Sequence, residues 1–148
     1  MTIHEEKARE LFLSGANCAQ AVFAAFADVM EISESEALRI SAPFGAGMGK
    51  MRDTCGALSG ALMAAGELLM SDVTDHEHKV RHYAMTREIA AEFKALHGTY
   101  VCREILGLEP GQDPVEPAIR TREYYESRPC LGCVGLAARL IDERLEKK

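Results

Sequence analysis

Apolar residues recur at helical spacing along almost the whole chain. No segment alternates apolar and polar residues with β-branched enrichment over the length of a strand. The pattern predicts a first helix from about Ile3 to Ser14, with Ala8, Leu11 and Phe12 facing inward, ended by Ser14-Gly15-Ala16. Asn17 is placed to cap a second helix from Cys18 to about Met30, apolar nearly all round and therefore central and closely packed. Ser33-Glu34-Ser35-Glu36 has the form of a capping box opening a third helix that reaches about Ser41 and stops at Ala42-Pro43. A glycine-dense segment, Phe44 to Lys50, follows, and Thr54 is placed to cap a fourth helix from Cys55 to about Met70. A fifth, long helix runs from about Asp75 to His97, with Val80, Met85, Ile89, Phe93 and Leu96 on one side and Gly98 at its end. Thr99 can cap a short helix, Tyr100 to Leu106, stopped by Gly107. Residues 108–122, with Pro110, Gly111, Pro114 and Pro117, read as a loop of a length that is usually functional or mobile. A last helix starts near Pro129, with Val134, Ala137, Ala138 and Ile141 inward. The expected fold is all-α: a single-domain helical bundle of about six to seven helices over residues 1–148.

Composition narrows the function. A chain of 148 residues suits one domain with a core that needs no disulfide staples. The net charge of −6 argues against a general nucleic-acid binder, which needs basic faces to meet phosphates. The first residues are polar and charged, without the apolar run of a secretory leader. The most apolar stretches fall far short of the ~20 residues of a membrane span. A cytoplasmic location is therefore expected, and there clustered cysteines serve as metal ligands or catalytic thiols more often than as bridges. The five cysteines are odd in number, so they cannot all pair internally.

Their placement carries the chemistry. Cys18, Cys55, Cys102 and Cys130 fall in the first turns of predicted helices, and Cys133 lies one turn further on. A first turn presents unpaired N–H groups and the positive end of the macrodipole, which favours thiolate. The competing reading is that these are small buried apolar residues. Cys130-Leu131-Gly132-Cys133 is a CxxC whose sulfurs can share a metal or form a redox disulfide. No βαβ pattern supports a thioredoxin-like fold, no second CxxC supports a zinc ribbon, and the cysteine spacing does not match ferredoxin runs. The glycine segment is not a phosphate loop: Met51 stands where Ser or Thr would follow Gly49-Lys50, and no strand precedes it. Gly45, Gly47 and Gly49, and Gly56 and Gly60 within the fourth helix, are instead expected to let backbone approach another backbone or a cofactor. His76, His78 and His82 sit among charged residues on a solvated face, and His4 and His97 have no sequence companions. No nucleophile–histidine–acid set can be assembled from spacing.

These segments resemble the C_GCAxxG_C_C family of redox-active proteins. Asn17-Cys18-Ala19-Gln20-Ala21-Val22 is similar to the family's first cysteine segment. Phe44 to Gly49 resembles its glycine-rich approach, and Cys55-Gly56-Ala57-Leu58-Ser59-Gly60 its central block. The order Cys-Gly-Ala here departs from the Gly-Cys-Ala of the family's name. Gly98 to Gly107, around Cys102, is similar to the third block, and Cys130 with Val134 to the last; Cys133 is an extra over the four-cysteine pattern. The resemblance implies cysteine-based redox activity, an iron–sulfur cluster, and a domain similar to one in a split-Soret type of cytochrome. Val134 in place of His after Cys133 speaks against covalent haem.

The leading expectation is a metal-binding redox protein whose iron–sulfur cluster is held by Cys18, Cys55, Cys102 and Cys130 or Cys133, serving electron transfer with a partner oxidoreductase. The first alternative is a metal-free thiol–disulfide protein using Cys130 and Cys133, with Cys18 or Cys55 as attacking or resolving thiol. The second is a helical binding module with structural zinc. A homodimer is the commonest assembly to expect, although the apolar second and fourth helices can equally be satisfied within one core.

Overall fold

Local capping chemistry sets half of the α-helix starts in the computed structural model, which describes residues 1–109 and 113–148. Pro110 and Gly111 of the expected loop lie outside the described residues. Thr2 and Glu5 form a reciprocal capping box at α1 (Ile3–Leu13), and Asn17 and Gln20 form another at α2 (Cys18–Ala25). The second predicted helix is interrupted at Phe26, and its end continues as α3 (Ala27–Met30). The break sets the Phe26 ring flat against the His4 ring, with centroids 4.3 Å apart. Ser33 caps α4 (Glu34–Ser41) through its hydroxyl alone, accepting from the Glu36 N–H. A 3-10 turn at Ala42–Phe44 and a single turn, α5 (Gly45–Met48), lead to α6 (Gly56–Leu69). Asp75 caps α7 (His76–His97), which ends at Gly98 in the left-handed conformation. Then come α8 (Cys102–Leu106), α9 (Arg122–Ser127) and α10 (Cys130–Glu146). The described residues contain no strand, so the fold is all-α; one isolated bridge joins Thr54 and Val101.

The core forms where α2 and α6 cross. Both are rich in alanine, and α1, α4 and α10 pack around them. The crossing is close because Gly60 of α6 lies on the α2 backbone, where an added Cβ would stand 2.7 Å from the Ala19 carbonyl oxygen. Phe12, Phe26, Leu58, Ile89, Phe93 and Ile141 fill the remaining volume. At α7 the expectation is corrected in part. Ile89 and Phe93 are buried and Met85 is half-buried, but Val80 and Leu96 are exposed. This helix has 22 residues and packs against partners of 14 and 17, so part of its apolar stripe finds no cover. Among the described residues no helix is long and apolar enough to cross a membrane.

One buried polar group ties the first helix to the last. The His4 main-chain N–H donates to Asp142 at 3.0 Å, and its ring Nδ1 lies 2.6 Å from the same carboxylate. The other ring nitrogen lies 3.0 Å from Asp28. His4 therefore has partners that its sequence neighbours do not announce. Asp142→Ala strands two buried polar groups and is expected to cost about 2–4 kcal/mol. The urea unfolding midpoint measures this, and a change under ~0.5 kcal/mol would contradict the role, since surface changes stay within that range.

Candidate functional site

Four helix starts deliver five sulfurs to one chamber. Cys18, Cys102 and Cys130 are the first residues of α2, α8 and α10, Cys55 is the cap of α6, and Cys133 lies in the next turn of α10. All five thiols are free, and all line a cavity of about 50 Å³. Two predicted caps are corrected. Thr54 does not cap α6 and Thr99 does not cap α8, because residues 52–55 and 100–103 pair as an antiparallel bridge. The Cys55 N–H donates to the Tyr100 carbonyl at 2.7 Å, and the Cys102 N–H to the Asp53 carbonyl at 2.6 Å. This pairing fixes Cys55 beside Cys102 and leaves Cys55 and Val101 in the cap positions.

The glycine segment forms another wall through unusual backbone. Ala46, Gly47, Met48, Gly49, Lys50 and Arg52 all have positive φ, between 56° and 70°. A non-glycine residue there costs about 1 kcal/mol or more and persists only where its surroundings hold it. The Gly49 N–H donates to the Gly45 carbonyl, and the Asp53 N–H to the Gly47 carbonyl, both at 2.9 Å. Gly47 sits so close to residues 52 and 53 that a Cβ would meet backbone at 2.7 Å. The turn aims the Ala46 N–H at the Cys18 sulfur and the buried Arg52 guanidinium at Cys102, with Nη1 3.6 Å from Sγ. Of the glycines singled out in the sequence, Gly47, Gly56 and Gly60 serve backbone packing. Gly45 packs against the Asn17 side chain and, with Gly49, edges a neighbouring cavity.

The thiols are not equivalent. Cys18 is lowered from the ordinary 9.0 to about 6, chiefly because the Cys130 S–H donates to it. Burial opposes this shift, while the N–H groups of Ala46 and Cys18 and the charge of Arg120 assist it. Cys130 is correspondingly pushed up strongly, since losing its proton would break that bond. Cys55 is held well above the usual thiol range by its bond with Cys133, then by burial and the charge of the Cys18 thiolate. Burial raises Cys102 against the opposing pull of Arg52. At neutral pH Cys18 is thus the thiolate, while Cys55, Cys102 and Cys130 keep their protons.

The sequence reading missed several residues around the thiols. His97 has a companion after all: its Nδ1 lies 3.8 Å from the Cys133 sulfur, and burial favours the neutral ring. Arg52 also pairs with Asp113, tying the segment after the undescribed residues to the chamber. Arg120, Tyr124 and Arg128 close the outer side. Tyr124 lies on α9, which falls at the end of the expected loop. Its one sequence signal is Thr121, whose hydroxyl accepts from the Tyr124 N–H. At the other end of α7, His76 is exposed, His78 lies against Asp75 and His82 against Ser71.

Among the described residues no three His, Cys, Asp or Glu side chains are arranged to close on a single metal ion. The donor set nevertheless fits an iron–sulfur cluster in kind. The donors are soft sulfurs, numbering at least four, on separate rigid helix starts, with N–H groups and guanidinium charge to offset anionic ligands. A cluster would spread its thiolates over two or more irons, so they need not all meet at one point.

Fold and site together define a helical protein with a five-cysteine chamber. The family model described as "Putative redox-active protein (C_GCAxxG_C_C)" matches residues 16–144, nearly the whole chain. The chain belongs to this family. No curated protein and no solved structure gives a significant match.

Proposed function

We propose that the chamber holds an iron–sulfur cluster through Cys18, Cys55, Cys102 and either Cys130 or Cys133, and that the protein carries electrons to or from a partner oxidoreductase. The observation that supports this reading is the convergence of five sulfurs from four separate segments on one buried chamber. A bound cluster would supply one-electron chemistry. The protein's own part is to hold the sulfurs on rigid helix starts and to offset their charge through Arg52 and Arg120. It also keeps the site largely shielded from water. Binding would exchange the Cys18–Cys130 and Cys55–Cys133 contacts for sulfur–metal bonds and release the thiol protons.

Anaerobic purification with iron and sulfide assays and a visible spectrum tests this. Iron and inorganic sulfide in equal amounts with a brown chromophore are expected, lost in Cys55→Ser and Cys102→Ser. A protein that stays colourless and iron-free after reconstitution overturns the reading, and one zinc per chain without colour replaces it with a structural site.

One observation favours a second reading. Cys18 and Cys130 form a donor–acceptor pair with opposite shifts, the pattern of an attacking and a resolving thiol. The Cys18 thiolate would attack a disulfide and expel one thiolate. Cys130 would then close a Cys18–Cys130 bond and release the second thiol, so the substrate disulfide is reduced as the protein pair is oxidised. This replaces the expected Cys130–Cys133 pair, because each of those sulfurs faces a partner across the chamber. Thiol titration after mild oxidation checks it: two thiols lost, and none lost in Cys130→Ala, is the expected result.

A further inference from the structure

We propose that the larger cavity beside the thiol chamber binds a small organic molecule bearing an oxyanion group, carboxylate or phosphate, and presents it to the chamber. That this molecule is the redox partner of the thiols rests on the redox reading above; that the cavity takes an anion does not.

The cavity has a volume of about 320 Å³, near the lower end of small-molecule sites at ~300–1,000 Å³. It suits a compact metabolite and is too small for a dinucleotide. Asn17, Ala46, Arg52, Arg120, Tyr124 and Arg128 line both this cavity and the thiol chamber, so a ligand here lies against the wall that holds Cys18 and Cys102.

Its charge is opposite to that of the molecule. Lys50, Arg52, Arg120 and Arg128 place four cations on its lining in a chain of net charge −6. Among the described residues Asp113 is the one carboxylate that pairs with any of them, 3.3 Å from Lys50 and bonded to Arg52. Asp113 is itself held below the usual carboxylate range by Arg52, so it stays anionic and offsets a single charge. A concave lining of one sign focuses field and concentrates counter-ions.

The two outer arginines divide the work. Arg120 is fixed: its Nη1 and Nη2 donate to the Phe12 and Ala16 carbonyls at 3.2 and 3.1 Å, and its guanidinium stacks on Phe12 and Tyr124. It contributes charge from a set position. Arg128 also stacks on the Tyr124 ring, 4.7 Å from its centroid, with no ion-pair or hydrogen-bond partner among the described residues. Its planar fork is pre-oriented by the ring and open to a bidentate oxyanion. Ala42, Val115, Pro117 and Ala118 supply an apolar side for a carbon body, so an organic anion fits better than a bare inorganic ion.

Isothermal titration of the reduced, metal-free full chain with succinate, its uncharged diamide and inorganic phosphate tests the proposal. Succinate is expected to bind, the diamide not to, and Arg128→Gln and Lys50→Gln each to weaken succinate tenfold or more while far-UV CD and the thermal midpoint stay unchanged. Phosphate binding more tightly than succinate assigns the site to phosphorylated ligands, within the same chemistry. Equal binding of succinate and diamide, unchanged affinity in both variants, or no heat from either anion up to ~10 mM overturns it, since useful metabolite sites lie at millimolar affinity or tighter. Iron and sulfide content is read separately, so failure of the cluster reading leaves this result standing, and the reverse.

Discussion

Two glycines of α6 should respond to alanine with opposite sign. Gly66→Ala is expected to raise stability by ~0.5–1 kcal/mol, because nothing lies within 4 Å of an added Cβ and alanine removes the entropic cost of glycine in a helix. Gly60→Ala gains the same propensity but drives a Cβ to 2.7 Å from the Ala19 carbonyl oxygen and 3.1 Å from the Val22 Cβ. Backbone must move, and overpacking of this kind costs about 1–3 kcal/mol or more. The damage extends to the chamber, since Ala19 follows Cys18, and the crossing is as tight one turn earlier, where a Cβ added to Gly56 would stand 3.2 Å from the Cys18 Cβ. Urea unfolding of the two variants measures the contrast, and a shared sign would refute the close crossing.

A second large effect lies in the titration of Cys18. In the reduced, metal-free protein its alkylation should follow an ionisation near pH 6, in contrast to the ordinary 9.0. Cys130→Ala removes the S–H donor that dominates this shift and should move the ionisation up by more than a unit. Cys130→Ser, which keeps a donor, should move it less. Stability follows by linkage. Between about pH 6 and 9 the unfolded chain holds a proton on Cys18 that the folded protein has released, so stability rises with pH across that window and is lost as pH falls through 6. Cys55, Cys102 and Cys130 are held protonated beyond 9.0, so above that value the folded state binds more protons and stability falls. Urea midpoints measured from pH 5.5 to 10 should therefore peak near pH 8–9. A flat profile between pH 6 and 9 would count against the thiolate at Cys18.

Much of this was legible because it is local. Asn17, Asp75, Gly98 and Gly107 terminate helices through side-chain or backbone chemistry confined to one turn, and each acts as its residue type predicts. Of the cysteines, Cys18 followed from one of those ends, at the Asn17 cap. Their convergence did not, because residues 18, 55, 102 and 130 meet only after four segments pack. Thr54 shows how a local signal loses: a capping hydroxyl was available, but two main-chain hydrogen bonds to residues 100 and 102 held the segment extended. His4 and Asp142 lie 138 positions apart, beyond any periodic pattern. Arg52 was hidden for another reason, since its left-handed backbone is imposed by the glycine turn before it.

The Cys18–Cys130 bond also bears on how the protein comes into being. During synthesis Cys18, Cys55 and Cys102 leave the ribosome ahead of α10, which carries the sulfur that lowers Cys18. Until that helix docks on α1 and α6, Cys18 lacks the S–H donor that lowers it most. The largest contribution to the lowered Cys18 thiol therefore arrives with the last helix, and a copy in which α10 has not docked carries a more weakly ionised Cys18.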